Sequence, residues 1–323
     1  MEIHNGTMNN SAFAHSHDEA RAAALPAPVG QHLFPPDVKT VGVVSISYLM
    51  PAADFVSATD AVRASGVSLK IAPNVTAEKV LPPQERARLF EEAYLDPEID
   101  LLWFSRGGKG AEDVVPLLDW NKLRSRPDMR VVGFSDLTIL LNAMLAKGAG
   151  HPLSGPSLAQ TLYWNESSRD WFSAALRGEP LPEVPVEDLR DTGKGAVYGK
   201  PMGGHLDRLI QLRRLGLFPS AVGRVVFFEC TAGYPPANLI RGLEEMRDYG
   251  ALDGAAAVVF CDFRHVDDEK AALEDFFPAF AATIPCPVFA GFPYGHIPNS
   301  RLLDFRRTVE ISADGVVNWE TVK

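Results

Sequence analysis

The sequence is short of cysteine. Only Cys230, Cys261 and Cys286 occur in 323 residues, an odd number at wide spacing with no Cys-x-x-Cys pair. That excludes a disulfide framework and a thiolate zinc site, and it fits reduced core thiols in a cytoplasmic protein. In that compartment Asn-x-Ser/Thr triplets such as Asn74-Val75-Thr76 have no bearing on glycosylation. Long apolar runs are missing as well. Gly254–Cys261 is among the longest, which suits a buried strand and falls far short of a membrane span. No charged segment followed by an apolar stretch opens the chain, so no secretory signal is read. Positive charge is scarce: 31 Lys and Arg stand against 41 Asp and Glu, a formal net charge of −10, with no basic cluster. Neither a nucleic-acid partner nor an anionic membrane surface fits that balance.

What is present reads as an α/β protein. The hydrophobic fraction of 46% and charged fraction of 22% are those of a soluble globular chain, and 323 residues predict two cores. Residues 1–36 are polar and rich in Ala, His and Asn, and read as an N-terminal extension. His15, His17 and Asp18 within it fall short of a metal ligand set, and no cofactor is expected. From Val41 strands alternate with helices: strands at Val41–Ser47, Ser68–Ala72, Asp100–Ser105 and Arg130–Phe134, helices at Pro51–Ser65, Pro82–Tyr94 and Ala111–Trp120. This spacing predicts a parallel sheet covered on both faces, in a first domain over 37–165. A short helix, Arg169–Leu176, and then Pro180, Pro182, Pro185, Asp188, Asp191 and Gly193 mark 166–194 as a linker. The second domain, 195–323, has predicted strands at Ala196–Lys200, Arg224–Glu229, Ala255–Phe263 and Pro287–Phe292. Its helices follow Gly204 and span Pro236–Tyr249 and Asp267–Ala282. A hairpin turns at Asp314-Gly315 between Thr308–Ile311 and Val316–Trp319.

Open α/β sheets place ligands outside the carboxyl ends of their strands, so the loops there are the candidates. One is Arg106-Gly107-Gly108-Lys109-Gly110, whose glycines let backbone N–H groups approach a ligand. It is neither a Walker loop nor Gly-x-Gly-x-x-Gly, and a plain glycine-rich turn is the alternative. Another is Gly133-Phe134-Ser135-Asp136. There an apolar strand meets Leu137, Leu140, Leu141, Met144 and Leu145 at helical spacing, closed by Gly148. A serine at a sharp strand-to-helix turn presents an exposed Oγ above a helix N-terminus, as a nucleophile needs, although the Gly-x-Ser-x-Gly spacing is absent. Serine is also a common helix N-cap, and the Ser-Asp pair alone does not separate the two readings. A third loop, Gly291-Phe292-Pro293-Tyr294-Gly295-His296, presents a histidine suited to general-base work, with an ordinary loop histidine as the alternative. Glu229 ends the run Val225-Val226-Phe227-Phe228, where a carboxylate either orients a histidine or faces solvent.

These segments, with Asp96-Pro97-Glu98-Ile99, Leu117-Leu118-Asp119, Gly155-Pro156 and Gly203-Gly204, carry a resemblance. From Val41 to Asp304 the chain resembles the L,D-carboxypeptidase family of serine peptidases, which also contains the microcin C self-immunity hydrolases. The resemblance implies a first domain like class I glutamine amidotransferases and a smaller mixed β/α second domain. It implies a triad of Ser135 as nucleophile, His296 as base and then acid, and Glu229 as its orienter, with the backbone N–H groups of Gly108 and Asp136 as oxyanion hole. The implied reaction is cleavage before a C-terminal D-amino acid, as in D-alanine release from a murein tetrapeptide in cell-wall recycling, by a protein that pairs as a homodimer. Hydrolysis of microcin C-type peptidyl or aminoacyl nucleotides is the alternative within the family. A catalytically silent peptide-binding module is the alternative outside it.

Four single positions and one run depart from the family pattern. Lys109 stands for a tyrosine, Ser154 for a histidine, His205 for an asparagine, Cys230 for an acid, and Ala237-Asn238-Leu239-Ile240-Arg241 for a Tyr-Arg-Ile-Asp-Arg run. They bear on the cleft lining, not on the triad. Lys109 and Arg241 are candidates to pair with a substrate carboxylate, His205 is a candidate cleft residue, and for the two cations surface charge is the alternative.

Overall fold

Two sheets back onto one helix, and that helix follows directly on the turn that carries Ser135. The computed structural model describes residues 33–190, 195–231, 235–263 and 267–321. The first sheet comprises β1 (Thr40–Val44), β2 (Ser68–Ile71), β3 (Leu101–Phe104), β4 (Arg130–Gly133), β5 (His151–Ser154) and β12 (Leu303–Asp304), in the order β12-β5-β4-β3-β1-β2. All pairs are parallel except β12 against β5. The strands β3 and β4 are apolar and almost wholly buried because helices cover both faces. The helices α1 (Ala52–Arg63) and α2 (Pro83–Leu95) follow β1 and β2. The expected helix over Ala111–Trp120 is in fact α3 (Ala111–Val114), a 3-10 turn at Val115–Leu117 and α4 (Trp120–Leu123). Pro116 has no N–H for the helical ladder, and the Asp119 side chain caps the new start by accepting from the Asn121 and Lys122 N–H groups.

The second sheet is mixed, with the order β6-β14-β13-β8-β9-β10-β11-β7. Its parallel centre is β8 (Val197–His205), β9 (Arg224–Cys230), β10 (Ala257–Phe263) and β11 (Val288–Ala290). Antiparallel additions come from β6 (Val184–Pro185), β7 (Glu187–Asp188), and the predicted hairpin β13 (Val309–Ile311) and β14 (Val316–Trp319). Three helices, α7 (Leu206–Arg214), α8 (Pro236–Asp248) and α9 (Asp267–Ala281), connect its strands. The expected α/β class, a parallel sheet with a second mixed sheet, is what the chain forms.

Between the sheets lies α5 (Thr138–Lys147), buried along Thr138–Met144 and closed by Gly148 in the left-handed conformation. A helix buried on every side must be apolar all round, and Ile139, Leu140, Leu141, Ala143 and Met144 make it so. The stretch 166–194 carries α6 (Glu166–Leu176) and the short strands β6 and β7. Trp171 of α6 is buried and donates to the Leu302 carbonyl at 3.0 Å, while Ser168 Oγ donates to the Ser300 carbonyl at 2.6 Å. Leu33 and Phe34, at the end of the stretch read as an extension, are buried too, with Phe34 edge-on to the Trp103 ring. His15, His17 and Asp18 lie outside the described residues.

Candidate active site

The order of the first sheet reverses at β1, from which β2 departs on one side and β3 on the other. Crevices form where loops diverge at such a switch point, here the loops after β1 and β3. Ser135 follows the adjacent β4 and opens a 3-10 turn, Ser135–Leu137, that runs into α5. Its φ of 61° is the only positive φ at a non-glycine position among the described residues. Such a backbone costs about 1–3 kcal/mol and must be held by its surroundings. One of those surroundings is Gly107: a Cβ there would stand 3.0 Å from Ser135 Cβ and 3.1 Å from the Phe134 carbonyl oxygen. The glycine loop thus lies directly against the serine turn, an approach that a larger residue would block.

His296 and Glu229 arrive from the second sheet. Ser135 Oγ is 3.1 Å from His296 Nε2, and His296 Nδ1 is 2.8 Å from Glu229 Oε2. Three residues separated by up to 161 positions therefore form one hydrogen-bonded line. The Glu229 side chain is fully buried and that of His296 a quarter exposed. Glu229 Oε1 has no hydrogen-bond donor among the described residues. A carboxylate so placed offsets the charge that His296 acquires when it takes a proton. Phe134 and His296 rings lie 4.6 Å apart, and Tyr294, itself bonded to Ser154 at 2.7 Å, stands edge-on to Phe134. The loop is further held by Ser300 Oγ, which accepts the Gly295 N–H at 3.1 Å, and by α6 through Ser168.

The other predicted residues divide. Among the described residues no acceptor takes the Gly108 N–H, and Gly108 has a φ of +128° that favours glycine. A Cβ on it would strike the ring of Tyr48, which covers the loop and is itself half exposed. Lys109, next along, is exposed. His205 ends β8 in register with Glu229 on β9, and its ring stands edge-on to His296 at 5.9 Å. Burial lowers its pKa to about 4, so it is neutral near pH 7. Arg241 is not brought to the triad: it is exposed, bonds Asn238, and lines a groove with Arg213, Arg214, Glu244, Asp248 and Tyr249. Cys230 is buried, and burial with the neighbouring Glu229 pushes its thiol pKa up, so it is a packing residue and not a competing nucleophile. Trp103 and Trp164 are both buried, so neither offers a face to a ligand. Among the described residues no group of three His, Cys, Asp or Glu side chains is arranged to hold a metal ion.

Two residues that sequence reading missed join the halves. Thr138 Oγ1 accepts the His205 N–H at 3.1 Å, and Asn142, one turn on, bonds Gly203. Their signal was available. Thr138 and Asn142 are spaced i, i+4 on an otherwise apolar helix, so they share a face that needs polar partners. Gly203 and Gly204 provide them by allowing β8 to come close: a Cβ on Gly204 would stand 2.4 Å from Thr138 Oγ1.

Two family models match the chain: the LD-carboxypeptidase N-terminal domain over residues 41–153 and the LD-carboxypeptidase C-terminal domain over residues 198–311. Among curated relatives, a murein tetrapeptide carboxypeptidase from Pseudomonas aeruginosa is 27% identical over 246 residues, covering 72% of this chain and 78% of the relative. The microcin C7 self-immunity protein MccF of Escherichia coli is 32% identical over 180 residues, covering 45% of this chain and 51% of the relative. In fold, the crystal structure of muramoyltetrapeptide carboxypeptidase from Oxalobacter formigenes matches with a TM-score of 0.75 at 21% identity, over 87% of this chain and 98% of that one.

Proposed function

The chain belongs to the LD-carboxypeptidase family, and on that premise we propose that it is a serine carboxypeptidase cleaving the amide bond before a C-terminal D-amino acid, with D-alanine release from a murein tetrapeptide as its reaction. The observation that carries this reading is the line from Ser135 Oγ through His296 to Glu229, at 3.1 and 2.8 Å. In it, His296 Nε2 takes the Ser135 proton as Oγ attacks the scissile carbonyl. Glu229 holds the Nδ1–H and offsets the imidazolium charge. The oxyanion is met by the N–H groups of Gly108 and Asp136, which act on charge present only in the tetrahedral state. His296 then protonates the departing amine, and water, deprotonated by the same histidine, releases the acyl group from Ser135.

Lys109, exposed beside the oxyanion loop, is suited to the terminal carboxylate that an exopeptidase must recognise. Three buried cysteines suit work in the cytoplasm. A binding module without catalysis would be favoured by a triad too far apart to bond, and these distances are within reach. One observation favours the nucleotide alternative: Tyr48, half exposed against the Gly108 loop, offers an aromatic face on which a base could stack.

The test is amino-acid release from L-Ala-γ-D-Glu-meso-diaminopimelate-D-Ala, the same peptide ending in L-Ala, and a peptidyl-adenylate analogue. Turnover of the D-Ala peptide alone supports the proposal. Turnover of the adenylate with none of either peptide replaces it with the nucleotide reading.

A further inference from the structure

The Asp136 carboxylate is fully buried and gathers three segments besides its own. Its Oδ2 accepts Ser47 Oγ at 2.6 Å, from the loop after β1, and the Ala111 N–H at 2.9 Å, from the start of α3 beyond the glycine loop. Its Oδ1 faces Arg208 Nε at 3.3 Å, and Arg208 lies on α7, which leaves the second sheet just after His205. A second carboxylate converges on the same guanidinium. Glu112 Oε2 accepts the Gly110 N–H at 3.1 Å and lies 3.9 Å from Arg208 Nη1. The same Nη1 donates to Gln211 Oε1 at 2.7 Å, and Nη2 lies 3.9 Å from Asp207 Oδ2. Both ends of the predicted oxyanion hole, the backbone of Asp136 and the loop that carries Gly108, are thus tied to carboxylates facing one arginine.

We infer that Arg208 is a positioning residue for the oxyanion hole: by holding Asp136 and Glu112 from the second sheet, it fixes the glycine loop and the serine turn in the geometry that the sheet bearing Glu229 and His296 requires. The catalytic consequence rests on the serine peptidase reading. The reason is electrostatic. A buried carboxylate is costly unless paired, and losing its cation makes it take up a proton instead. A protonated Asp136 loses acceptor capacity, and the ties to Ser47 and Ala111 weaken. Burial already pushes the Asp136 pKa up, while Arg208, Ser47 and Ala111 pull it down and Glu112 adds to the rise. Arg86 on α2 also acts on Asp136; it bonds the Leu81, Ile46 and Gly110 carbonyls and faces Asp113.

The test compares Arg208→Met and Arg208→Lys with wild type in turnover and in urea unfolding from pH 4 to 9, with Asp136→Asn as a second background. Arg208→Met is expected to lose about a hundredfold in kcat with KM changed severalfold at most, the size of effect expected when an oxyanion donor is misplaced. The acidic limb of its kcat profile is expected to move to higher pH, and Arg208→Lys to recover part of the loss. An acid whose folded pKa is raised contributes stability while protonated and loses it as pH rises through that pKa. Removing Arg208 raises the pKa further, so the stability gap between wild type and Arg208→Met should widen from pH 4 upward and become flat in the Asp136→Asn background. A gap independent of pH, a gap equally sloped in the Asp136→Asn background, or a kcat within threefold of wild type overturns the inference. If wild type turns over no peptide, the peptidase reading fails while the unfolding gap still decides whether Arg208 holds Asp136.

Discussion

Asn142 grips Gly203 from both sides of one residue. Its Nδ2 donates to the Gly203 carbonyl at 2.9 Å and its Oδ1 accepts the Gly203 N–H at 3.1 Å. Asn142 lies on the helix that begins beyond Ser135, and Gly203 on the strand paired with the one that ends near Glu229. The grip sets how the segments bearing Ser135 and Glu229 approach each other. Replacing Asn142 by Leu keeps the branched shape but leaves two buried backbone groups unpaired, at roughly 1–3 kcal/mol each. We expect the urea midpoint to fall by an amount corresponding to about 2–6 kcal/mol, with a loss in kcat. Unchanged stability would mean that water or a shifted strand satisfies Gly203.

Ser135 sets stability against activity. Its φ of 61° is relaxed for glycine and strained for alanine. Ser135→Gly should therefore be more stable than Ser135→Ala by about 1 kcal/mol, although neither turns over substrate. Thermal unfolding of the two variants measures the difference. Equal melting temperatures would show that the surrounding contacts, Gly107 among them, bear the strain equally for both.

Glu229→Gln keeps the side chain's shape and removes its charge. The histidine would then lose the negative charge that faces it in the transition state and the partner that fixes which nitrogen carries hydrogen. We expect kcat to fall by roughly three to four powers of ten with KM little changed. Steady-state kinetics on the tetrapeptide check this, and a loss confined to KM would assign Glu229 to binding.

His205 makes the fold sensitive to acid. Its pKa is about 4 in the folded chain against an ordinary value of 6.5, because burial disfavours the charged form. A depressed pKa means that the unfolded chain binds the proton first. The stability is complete above about pH 6.5 and is lost as pH falls toward 4. The loss is on the order of 3 kcal/mol for a shift of this size. His205→Asn should flatten the pH dependence of urea unfolding across that window, and an unchanged slope would place the acid sensitivity elsewhere.

Much of this was legible in the chain. Ser135, Glu229 and His296 each end or closely follow an apolar strand, and the two loop residues sit among glycine or proline, so local pattern marked them as candidates, and only the family resemblance gave them roles. The strand β5 was missed because Pro152 argues against a strand in a run of four residues. It is tolerated because β12 pairs only with Leu153 and Ser154. The full length of β8 was hidden by Gly199, Gly203 and Gly204, which weaken a strand in isolation and here allow close approach: a Cβ on Gly203 would stand 2.0 Å from the Phe227 carbonyl oxygen. α6 lay in a stretch whose prolines suggested a linker, and its buried Trp171 and Ser168 are explained by distant partners, among them the Leu302 and Ser300 carbonyls and the Phe292 and Trp319 rings. Arg208 gave no local sign, since an arginine on a helix reads as solvent-facing until the carboxylates it meets are brought in from the other sheet. Contacts of that range are set by how the sheets dock, which no local period encodes.

The central claim is that Ser135 is the nucleophile of a carboxypeptidase. D-alanine release from the murein tetrapeptide by wild type and by Ser135→Ala, both folded by circular dichroism, tests it most directly. The account predicts turnover by wild type and a loss of several powers of ten in the variant. Comparable release by both would contradict it.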